Sequence, residues 1–328
     1  MTVIVTGAAG FIGFHVAAQL IDRGQTVVGI DNLNDYYDPA LKRARLERLS
    51  GHNGFTFRKL DVQNRDAILA LATEFPEVTE IVHLAAQAGV RYSLENPFAY
   101  VETNVMGHLC MVELARRLPA LRHFVYASSS SVYGGNKELP FSVDQRVDNP
   151  VSVYAATKAS NELVSHCYAH LYGLPSTGLR FFTVYGPWGR PDMSAYIFTK
   201  AIFEDRPIRI FNHGDMRRDF TYIDDIVSGV LTVIDRPAER TSAEPPHRVY
   251  NLGNHSSEPL LRFIELIEKA CGKPAIREFA EMQPGDVKET YADIEPASRD
   301  LGFDPKTSID EGVPRFVEWY RSYHNASS

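Results

Sequence analysis

A tyrosine and a lysine four positions apart are the first candidates for chemistry. Tyr154 and Lys158 frame the segment YAATK, and residues four apart share one face of a helix. A lysine ammonium group beside a phenol favours the phenolate and lowers the tyrosine pKa. Such a phenolate can take the proton of a hydroxyl group while hydride leaves the same carbon. The alternative is that both residues belong to an ordinary helix surface, because the YxxxK pattern alone is weak evidence.

Four consecutive serines precede this pair by about 25 residues. They directly follow a run of residues that we predict to be a strand. Their hydroxyl groups can hydrogen-bond the same oxygen that the tyrosine would deprotonate. The candidates for substrate or cofactor contact are Ser128, Ser129, Ser130 and Ser131.

The start of the chain carries a glycine pattern suited to a dinucleotide. Gly7, Gly10 and Gly13 have the spacing GxxGxxG between a predicted strand and a predicted helix, with Phe11 and Ile12 inside the pattern. Glycine is needed where the turn is tight and where the backbone must approach a pyrophosphate. The following helix then offers free N–H groups and the positive end of its dipole. The position directly after a strand strengthens a pattern that is weak on its own.

Acidic residues at the ends of the next two predicted strands extend this cofactor hypothesis. Asp31 lies 18 residues beyond Gly13, where a carboxylate can accept both ribose hydroxyls of the adenosine. It would repel a 2′-phosphate, which favours NAD over NADP. Asp61, at the end of the third strand, is predicted to reach the adenine edge or, alternatively, to cap a helix.

A parallel sheet is needed to bring these motifs together. Short apolar runs alternate with helical stretches through the first half, which predicts βαβ units with both faces of the sheet covered. We predict strands at 3–5, 26–30, 56–60, 80–84 and 123–127, and helices at 14–23, 66–74 and 103–118. In the second half, which Pro and Gly punctuate, we predict a strand at 180–182 and helices at 195–204, 222–234 and 260–270.

Composition excludes several other classes of protein. With 328 residues, 44% of them hydrophobic, the chain can form a full core, which excludes general disorder. A net charge of −7 argues against nucleic-acid binding through phosphate contacts. No apolar run reaches the ~18 residues of a membrane span, and the chain opens on a predicted strand rather than a signal peptide. Three widely spaced cysteines suit the cytosol and neither a disulfide framework nor a zinc site, so we expect a cytoplasmic protein without a bound metal.

Taken as a set, the motifs resemble those of the extended short-chain dehydrogenase/reductase superfamily. The resemblance rests on GAAGFIG, Asp31, HLAAQAG (83–89), SSSSVYG (128–134) and YAATK, and it runs from Thr2 to about Phe303. Within the superfamily, QAGVRYSLENP (87–97) and RFFTVYGPWGRPDM (180–193) are similar to UDP-glucuronate 4-epimerases. The resemblance implies an α/β fold, namely a Rossmann-type doubly wound parallel sheet with a smaller C-terminal α/β substrate domain.

The resemblance also implies roles for individual residues. Tyr154 and Lys158 match the catalytic pair. Counting back from the VYG tyrosine gives Ser129 as the catalytic serine, although four serines in a row leave this placement open by one or two positions. Asn104 matches an asparagine near the active site, the alternative being an ordinary polar helix residue. The residues expected to hold a tightly bound NAD are Gly7, Gly10, Phe11, Ile12, Gly13, Asp31, Asn32, Asp61, Val62, Leu84, Ala85, Ala86, Asn104, Ser128, Tyr154 and Lys158.

The fate of the sugar after hydride abstraction at carbon 4 defines the reaction. An epimerase returns hydride to the other face of the 4-keto sugar, so NAD must stay bound. Dehydratases and uronate decarboxylases that resemble this chain carry a glutamate two residues before the VYG tyrosine, and dehydratases an aspartate before it. Here those positions are Ser131 and Ser130. This difference favours epimerisation.

Recognition of a UDP-uronate requires groups for the carboxylate and the diphosphate. Arg190 and Thr183 are the candidates for the carboxylate, because arginine pairs with it through two parallel hydrogen bonds. The alternative for Arg190 is a role in loop structure. Arg218 matches a UDP-binding RD(F/Y) segment, and Arg91 is either a diphosphate ligand or a surface residue. Asp286, in the segment 283–286, is expected to hold the uridine ribose.

The same resemblance predicts two domains and a homodimer. Residues 1–180 would form the NAD-binding domain, with segments near 215–255 returning to it, and residues 181–328 mainly the nucleotide-sugar domain. The dimer would form through the YxxxK helix and the helix after Asn104, with apolar surface from Ala155, Ala156, Ala159 and Leu163.

The leading functional hypothesis is interconversion of UDP-glucuronate and UDP-galacturonate. The enzymatic alternatives are a UDP-glucose/UDP-galactose-type 4-epimerase, a uronate decarboxylase or dehydratase, and a 4-hydroxyl dehydrogenase that releases NADH. The non-enzymatic alternative is an NAD-sensing interaction protein, against which the intact tyrosine, lysine and serines argue. The fold alone decides between none of them.

Overall fold

A parallel sheet is the central element of the molecule. The computed structural model describes residues 1–283 and 286–326. Its strands are β1 (Thr2–Thr6), β2 (Thr26–Asp31), β3 (Phe55–Lys59), β4 (Val78–His83), β5 (His123–Ser129), β6 (Ser176–Phe181), β7 (Thr183–Tyr185), β8 (Pro207–Ile210), β9 (Arg217–Arg218), β10 (Phe220–Tyr222), β11 (His247–Leu252), β12 (Glu258–Pro259) and β13 (Ile276–Phe279). Seven of them form one sheet in the order β11-β6-β5-β4-β1-β2-β3, and each neighbouring pair is parallel.

Helices cover both faces of this sheet. They are α1 (Phe11–Asp22), α2 (Pro39–Ser50), α3 (Arg65–Glu74), α4 (Tyr92–Glu95), α5 (Pro97–Tyr100), α6 (Gly107–Arg117), α7 (Val153–Tyr172), α8 (Ser194–Phe203), α9 (Ile223–Asp235), α10 (Leu260–Cys271), α11 (Glu295–Leu301) and α12 (Ile309–His324). A π-helical turn (Val101–Met106) leads into α6, and 3₁₀ turns occupy Ser130–Tyr133 and Phe211–Gly214. None of the helices within the described ranges is long and apolar enough to cross a bilayer.

Alternation along the strands explains why both faces are covered. Successive side chains of a strand point to opposite sides of the sheet. Val3 and Val5 of β1 accordingly belong to one hydrophobic core, with α1 and α9, whereas Ile4 belongs to the other, with α3 and α6. Strands that are apolar on both sides are typical of a parallel sheet between two helical layers. The predicted α/β fold class is therefore confirmed.

The smaller second part packs beside the carboxyl ends of the strands. It contains three two-stranded sheets, β7 with β10, β8 with β13, and β9 with β12, together with the mutually packed helices α8, α10 and α12. Its core includes Phe220 of β10 stacked on Phe263 of α10, with ring centroids 3.9 Å apart. This packing brings the loop that follows β7 toward the central sheet.

The predicted elements agree with the structure within a few residues, but several other elements were not predicted. The predicted strand at 180–182 is the end of β6, and the predicted helix at 103–118 begins inside the π-helical turn. The elements that were not predicted are the helices α2, α4, α5, α11 and α12 and the strands β7 to β13. Because β11 pairs with β6 and α9 packs against α1, the segment after residue 215 does contact the first part of the chain. The division into domains at residue 180 remains a prediction.

Candidate active site

A deep cavity opens at the carboxyl ends of the central strands. It measures about 880 Å³ and lies by β1 and β4, where the strand order reverses and ligands of such sheets commonly bind. Its walls come from the first part of the chain and from segments near residues 181–198, 209–218 and 286–290. All the predicted site residues line it except Asp61 and Asn104.

The glycine pattern forms a close-packed turn at one end of this cavity. Gly7 has a φ of +71°, and a Cβ there would lie 2.9 Å from the backbone nitrogen of Ala85. A Cβ on Gly13 would lie 2.1 Å from the carbonyl oxygen of Gly7, so glycine is required for α1 to begin this close to the turn. Phe11 and Ile12, in the first turn of α1, line the cavity. The positive end of the helix dipole is therefore available to an anionic diphosphate.

Asp31 closes β2 at the same end of the cavity. Its carboxylate accepts hydrogen bonds from the N–H groups of Ala9 (3.1 Å) and Leu33 (2.8 Å). Burial raises the pKa of this carboxyl, which the N–H groups and the cation of Lys42 partly oppose. A fixed acceptor at the cavity wall is what a ribose diol requires, so the glycine turn and Asp31 together fit a dinucleotide.

Two predicted cofactor residues do not reach the cavity. Asp61 accepts hydrogen bonds from the side chain of Asn32 (2.9 Å) and from the N–H two residues further on (3.1 Å), so it closes the turn after β3. The cap of α3 is Asn64, so the alternative role of Asp61 as a helix cap is wrong, and its contact with the adenine stays a prediction. Asn104 is buried and bonds both backbone groups of Gln87, at 2.8 and 3.0 Å. It therefore holds the loop after β4 in place, and its contact with the cofactor stays a prediction.

Tyr154 lies partly buried in the first turn of α7, and its neighbours affect the pKa of its phenol. Burial raises the pKa of the phenol, and a hydrogen bond with Ser129 lowers it. The charge of Arg190 lowers it too, whereas Asp192 raises it. Arg190 is thus one cation that favours the phenolate in this structure, and the effect of Lys158 that the YxxxK spacing predicts stays a prediction.

Lys158 faces the end of β5. Its Nζ donates a hydrogen bond to the carbonyl oxygen of Ala127 at 2.9 Å. Burial lowers the pKa of Lys158 to about 8, against the opposing effect of Glu162 one helical turn away. The ammonium form therefore predominates at neutral pH.

The structure separates the four serines. Ser129 is the one beside Tyr154, and its Oγ also lies 3.2 Å from the N–H and the hydroxyl of Ser131. Ser128 instead donates its hydroxyl hydrogen to the carboxylate of Glu162. Geometry thus favours the serine that counting back from the VYG tyrosine predicts, and Ser128 serves a different contact.

A buried ion pair behind the serines was missed by sequence reasoning. Arg180 of β6 donates two hydrogen bonds to Glu162 of α7, at 2.9 and 2.7 Å. Its remaining Nη1 donates to the Tyr133 hydroxyl at 3.0 Å, which in turn donates to Asn251 at 2.6 Å. Further hydrogen bonds of this kind make a buried ion pair favourable, but nothing in the local sequence distinguishes Arg180 and Glu162 from surface charges.

Arg190 enters the cavity from the loop after β7 and already has a carboxylate partner. Its Nε lies 3.0 Å from Asp192 Oδ1, and its Nη2 pairs with Oδ2. The hydroxyl of Tyr36, from the loop after β2, donates to the same carboxylate at 3.2 Å. Burial raises the pKa of the Asp192 carboxyl, but Arg190 outweighs this and holds it below its usual range. Neither Asp192 nor Tyr36 was singled out in the sequence.

The outer end of the cavity carries the residues predicted to meet the diphosphate and uridine. Arg91 and Asp286 pair with each other at 3.0 Å. Burial lowers the pKa of Arg218, and the charge of Asp286 raises it, so this carboxylate acts on both cations. Pro284 and Gly285 of the predicted nucleotide-sugar segment lie outside the described residues.

This arrangement is that of a dinucleotide-dependent enzyme acting on a hydroxyl-bearing carbon, and the fold and site define the class of extended short-chain dehydrogenases/reductases. The chain belongs to the NAD dependent epimerase/dehydratase family, which its sequence matches over residues 3–253. The family membership expected from the motifs is therefore confirmed.

Similar proteins cover the whole chain. It is 49% identical over 336 residues to Protein CapI of Staphylococcus aureus, with 99% of each chain covered. It is 48% identical over 339 residues to a probable UDP-glucuronate 4-epimerase of Rhizobium meliloti, again with 99% of each covered. The structure of UDP-glucuronic acid 4-epimerase from Bacillus cereus in complex with UDP-glucuronic acid and NAD superposes with a TM-score of 0.90 at 35% identity, covering 98% of this chain and 100% of that one.

Proposed function

We propose that this chain is an isomerase that catalyses NAD-dependent 4-epimerisation of a UDP-uronic acid, interconverting UDP-glucuronate and UDP-galacturonate through a 4-keto intermediate. The observation that carries the proposal is the position of Arg190, whose guanidinium suits a carboxylate, near Tyr154 in one cavity with the glycine turn. Similarity to UDP-glucuronate 4-epimerases over the full chain supports it.

The cofactor is NAD. The glycine turn would hold its diphosphate and Asp31 its adenosine ribose, and we assign Asn32, Val62, Leu84, Ala85 and Ala86, which line the same end of the cavity, to its further contacts. When bound, NAD accepts hydride from carbon 4 of the sugar and returns it to the opposite face. Lys158 lines the cavity next to Tyr154 and supplies a positive charge there.

We assign the proton transfer to Tyr154. Its phenolate would take the proton of the 4-hydroxyl, and the phenol would return it after the sugar has turned. The Ser129 hydroxyl lies beside the phenol and can hydrogen-bond the same sugar oxygen. The charge of Arg190 lowers the pKa of Tyr154 and so favours the phenolate. The residue assigned to the substrate carboxylate would therefore also help to ionise the base.

The uronate carboxylate is assigned to Arg190 and Thr183, both on the cavity wall. Asp192 takes the Nε–Nη2 edge of the guanidinium, so a substrate carboxylate would meet the other edge. Fixing the carboxylate also keeps the 4-keto acid away from the geometry in which it loses CO₂. Ser130 and Ser131 line the wall where a decarboxylase or dehydratase would need an acid, which argues against those alternatives.

Arg218 and Arg91 are assigned to the UDP diphosphate, and Asp286 to the uridine ribose. Two arginines at the outer end of the cavity supply positive charge in an otherwise acidic protein. Since Arg91 and Asp286 pair with each other at 3.0 Å, binding of UDP would replace or share this contact.

One experiment separates the reactions. Purified protein is incubated with UDP-glucuronate without added cofactor, and the sugar nucleotides are analysed by chromatography. We expect UDP-galacturonate and no net NADH. A UDP-pentose with CO₂ would instead indicate a decarboxylase, accumulating NADH a dehydrogenase, and no turnover of any nucleotide sugar a sensor.

A second experiment addresses the substrate. Replacing Arg190 by leucine removes the bidentate donor, so binding of UDP-glucuronate should weaken at least about tenfold more than binding of UDP-glucose. Equal loss for both nucleotide sugars, measured by calorimetry, would assign Arg190 to loop structure.

We further infer a homodimer in the cytoplasm. Ala155 and Ala159 are buried within the chain, so they cannot supply the interface surface that the sequence suggested. Exposed apolar side chains do lie on α7 and on the preceding helical segments, namely Leu163, Met106 and Leu109. Free cysteines suit a reducing compartment. Light scattering should give twice the chain mass for the native protein and a monomer for Leu163→Glu.

A further inference from the structure

Arg45 on α2 is a buried cation whose partners are all neutral. Its side chain is 0% exposed, and no carboxylate of residues 1–283 or 286–326 lies within the 4.0 Å of an ion pair. Taking a guanidinium out of water is unfavourable, and an apolar side chain would fill the same space without that loss. A function that needs the hydrogen bonds explains why an arginine is found there.

The hydrogen bonds of Arg45 join two segments of the cavity wall. Its Nη1 donates to the carbonyl oxygen of Ala9, inside the glycine turn, and to the hydroxyl of Tyr37, each at 2.8 Å. Its Nη2 donates to the carbonyl oxygens of Trp188 (2.6 Å) and Gly189 (3.3 Å). We call residues 186–192 the arginine loop, because Arg190 follows these two carbonyls directly.

A second basic side chain holds the same loop. His15 of α1 lies with its Nε2 3.0 Å from the carbonyl oxygen of Pro187. Three consecutive carbonyls before Arg190 are therefore bound by side chains of α1 and α2, the helices that flank the glycine turn. The Trp188 ring packs on the same two helices, 5.7 Å from the Phe14 ring and 4.7 Å from the Arg48 guanidinium.

The arginine loop needs such anchors because of its backbone. Trp188 has a φ of +63°, a left-handed conformation that is unfavourable for a residue with a side chain. Such a conformation persists only where surrounding contacts determine it. The backbone carbonyls of the loop are held from α1 and α2 on the cofactor side. The Trp188 ring also packs on Trp319 and Tyr323 of α12, with ring centroids 5.4 and 5.1 Å apart.

We propose that Arg45 is a positioning residue that ties the arginine loop to the glycine turn and so fixes Arg190 relative to the cofactor site. This rests on the proposed function, since Arg190 is the group assigned to the uronate carboxylate. The planar fork of arginine can span both segments, whereas a lysine ammonium would reach one of them. Uronate recognition and cofactor retention then depend on the same side chain.

The test compares Arg45→Met and Arg45→Lys with the matched variant Arg48→Met. Arg48 lies on the same helix and contacts the Trp188 ring rather than the loop carbonyls. For each protein, calorimetry gives the affinities for UDP-glucuronate and UDP-glucose, and the NAD content per chain is measured after gel filtration. Thermal unfolding shows whether each variant is folded.

We expect both Arg45 variants to lose roughly tenfold or more in affinity for UDP-glucuronate, because a small displacement of a positioning group is enough for such a loss. Affinity for UDP-glucose should change less than about twofold, and less NAD should be retained. Arg48→Met should keep the ratio of the two affinities. Equal losses for both nucleotide sugars, or an unchanged ratio in Arg45→Lys, would overturn the proposal.

A second anchor keeps the test decisive if Arg45→Met does not fold. His15→Phe retains an aromatic ring but removes the hydrogen bond to the arginine loop, so it should shift the affinity ratio in the same direction by a smaller factor. An unchanged ratio in both His15→Phe and Arg45→Lys would refute the coupling. Failure of the proposed function is distinguishable, since it would appear as no conversion of UDP-glucuronate by the unmodified protein.

Discussion

The Tyr154 phenol sits where a phenolate is unfavourable, so single neighbours decide how readily it loses its proton. Burial raises its pKa, Ser129 and Arg190 lower it, and Asp192 raises it. Arg190 and Asp192 form an ion pair, and they have opposite effects on the phenol pKa, that of Arg190 being the larger. Replacing either Arg190 or Asp192 by a neutral residue should therefore shift the pKa of the Tyr154 phenol in the direction set by the charge that remains.

Removing the phenol oxygen should abolish most activity without emptying the cofactor site. In Tyr154→Phe, kcat is expected to fall about 10²- to 10⁴-fold, the usual contribution of a positioned acid–base group. NAD should remain bound, because the glycine turn and Asp31 are untouched. The control is Tyr168→Phe on the same helix, whose hydroxyl bonds Glu113 at 2.6 Å and whose loss should leave kcat unchanged. Full activity of Tyr154→Phe would show that another group is the base.

Opposite pH shifts are expected from the two members of the ion pair. Asp192→Asn removes the charge that raises the phenol pKa, so the acidic limb of the kcat/KM profile should move to lower pH. Arg190→Leu removes the charge that lowers the phenol pKa, so the acidic limb of its kcat/KM profile should move to higher pH. Tyr36→Phe, which keeps both charges, should leave the limb in place. Profiles that move in the same direction for both charge variants would contradict this account.

At the scale of the elements, α7 presents three side chains at a spacing of four. Tyr154, Lys158 and Glu162 share a face of this helix, and Glu162 fastens it to β6 through Arg180. The same carboxylate acts on Lys158 and accepts the Ser128 hydroxyl. The helix is thereby held to the strands that carry the serines, although the ion pair itself lies outside the reaction.

Glu162→Gln should therefore destabilise the protein and lower the pKa of Lys158. It leaves Arg180 buried without a carboxylate, a change that costs about 3–5 kcal/mol in unfolding free energy. It also removes the charge that raises the pKa of Lys158, which should fall below about 8. Chemical denaturation measures the first effect. Glu113→Gln breaks a more exposed pair with Arg116, so it should destabilise the protein much less. Equal losses of unfolding free energy in the two variants would contradict this expectation.

At the scale of the whole molecule, buried histidines should make the fold sensitive to acid. Burial lowers the pKa of His83 to about 3 and those of His15, His123 and His247 to about 4. The unfolded chain binds protons near pH 6.5, so it binds more protons than the folded protein below that pH. Stability is then fully present above pH 6.5 and is lost as pH falls toward 4, by up to roughly 1.4 kcal/mol per pH unit for each histidine.

Thermal unfolding between pH 7.5 and 5 checks this expectation. Burial raises the pKa of Asp219 to about 6 and also raises those of Asp31 and Asp224, and these three carboxyls act in the opposite direction. They are outnumbered by the histidines, because burial also lowers the pKa values of His108 and His324. The control His52→Asn changes an exposed histidine and should leave the slope of Tm against pH unaltered. A Tm that stays constant from pH 7.5 to 5 would show that the buried histidines are protonated in the folded protein.

The sequence predicts best the residues that are encoded next to a strand. The glycine turn, Asp31 and the serines each follow a strand directly, so placing the strands also places these residues at one edge of the sheet. Contacts between distant segments could not be predicted in this way. Asp192 and Arg45 resemble surface charges in the sequence, and only tertiary packing brings one to Arg190 and the other to the glycine turn.

The missed elements have a similar explanation. The first half of β11 (His247–Leu252) is partly exposed, and the strand shows no regular alternation of buried and exposed residues. The strands of the second part are two to four residues long, too short for a period to be read. The sequence motifs therefore predicted where the site lies. The remaining cavity residues come from segments that are distant in the sequence, so only the tertiary structure shows them.

The strand β11, which comes late in the chain, pairs with β6 at the edge of the central sheet. This limits where the protein can be cut into separately expressed fragments. A fragment ending near residue 180 would leave β6, whose six residues are all buried in the intact protein, as a bare sheet margin with unsatisfied amide and carbonyl groups. Such a margin recruits strands from other chains. Expressed alone, the nucleotide-binding half is therefore expected to form insoluble assemblies, and any chimaera that exchanges substrate-binding halves within the family would have to carry its own closing strand.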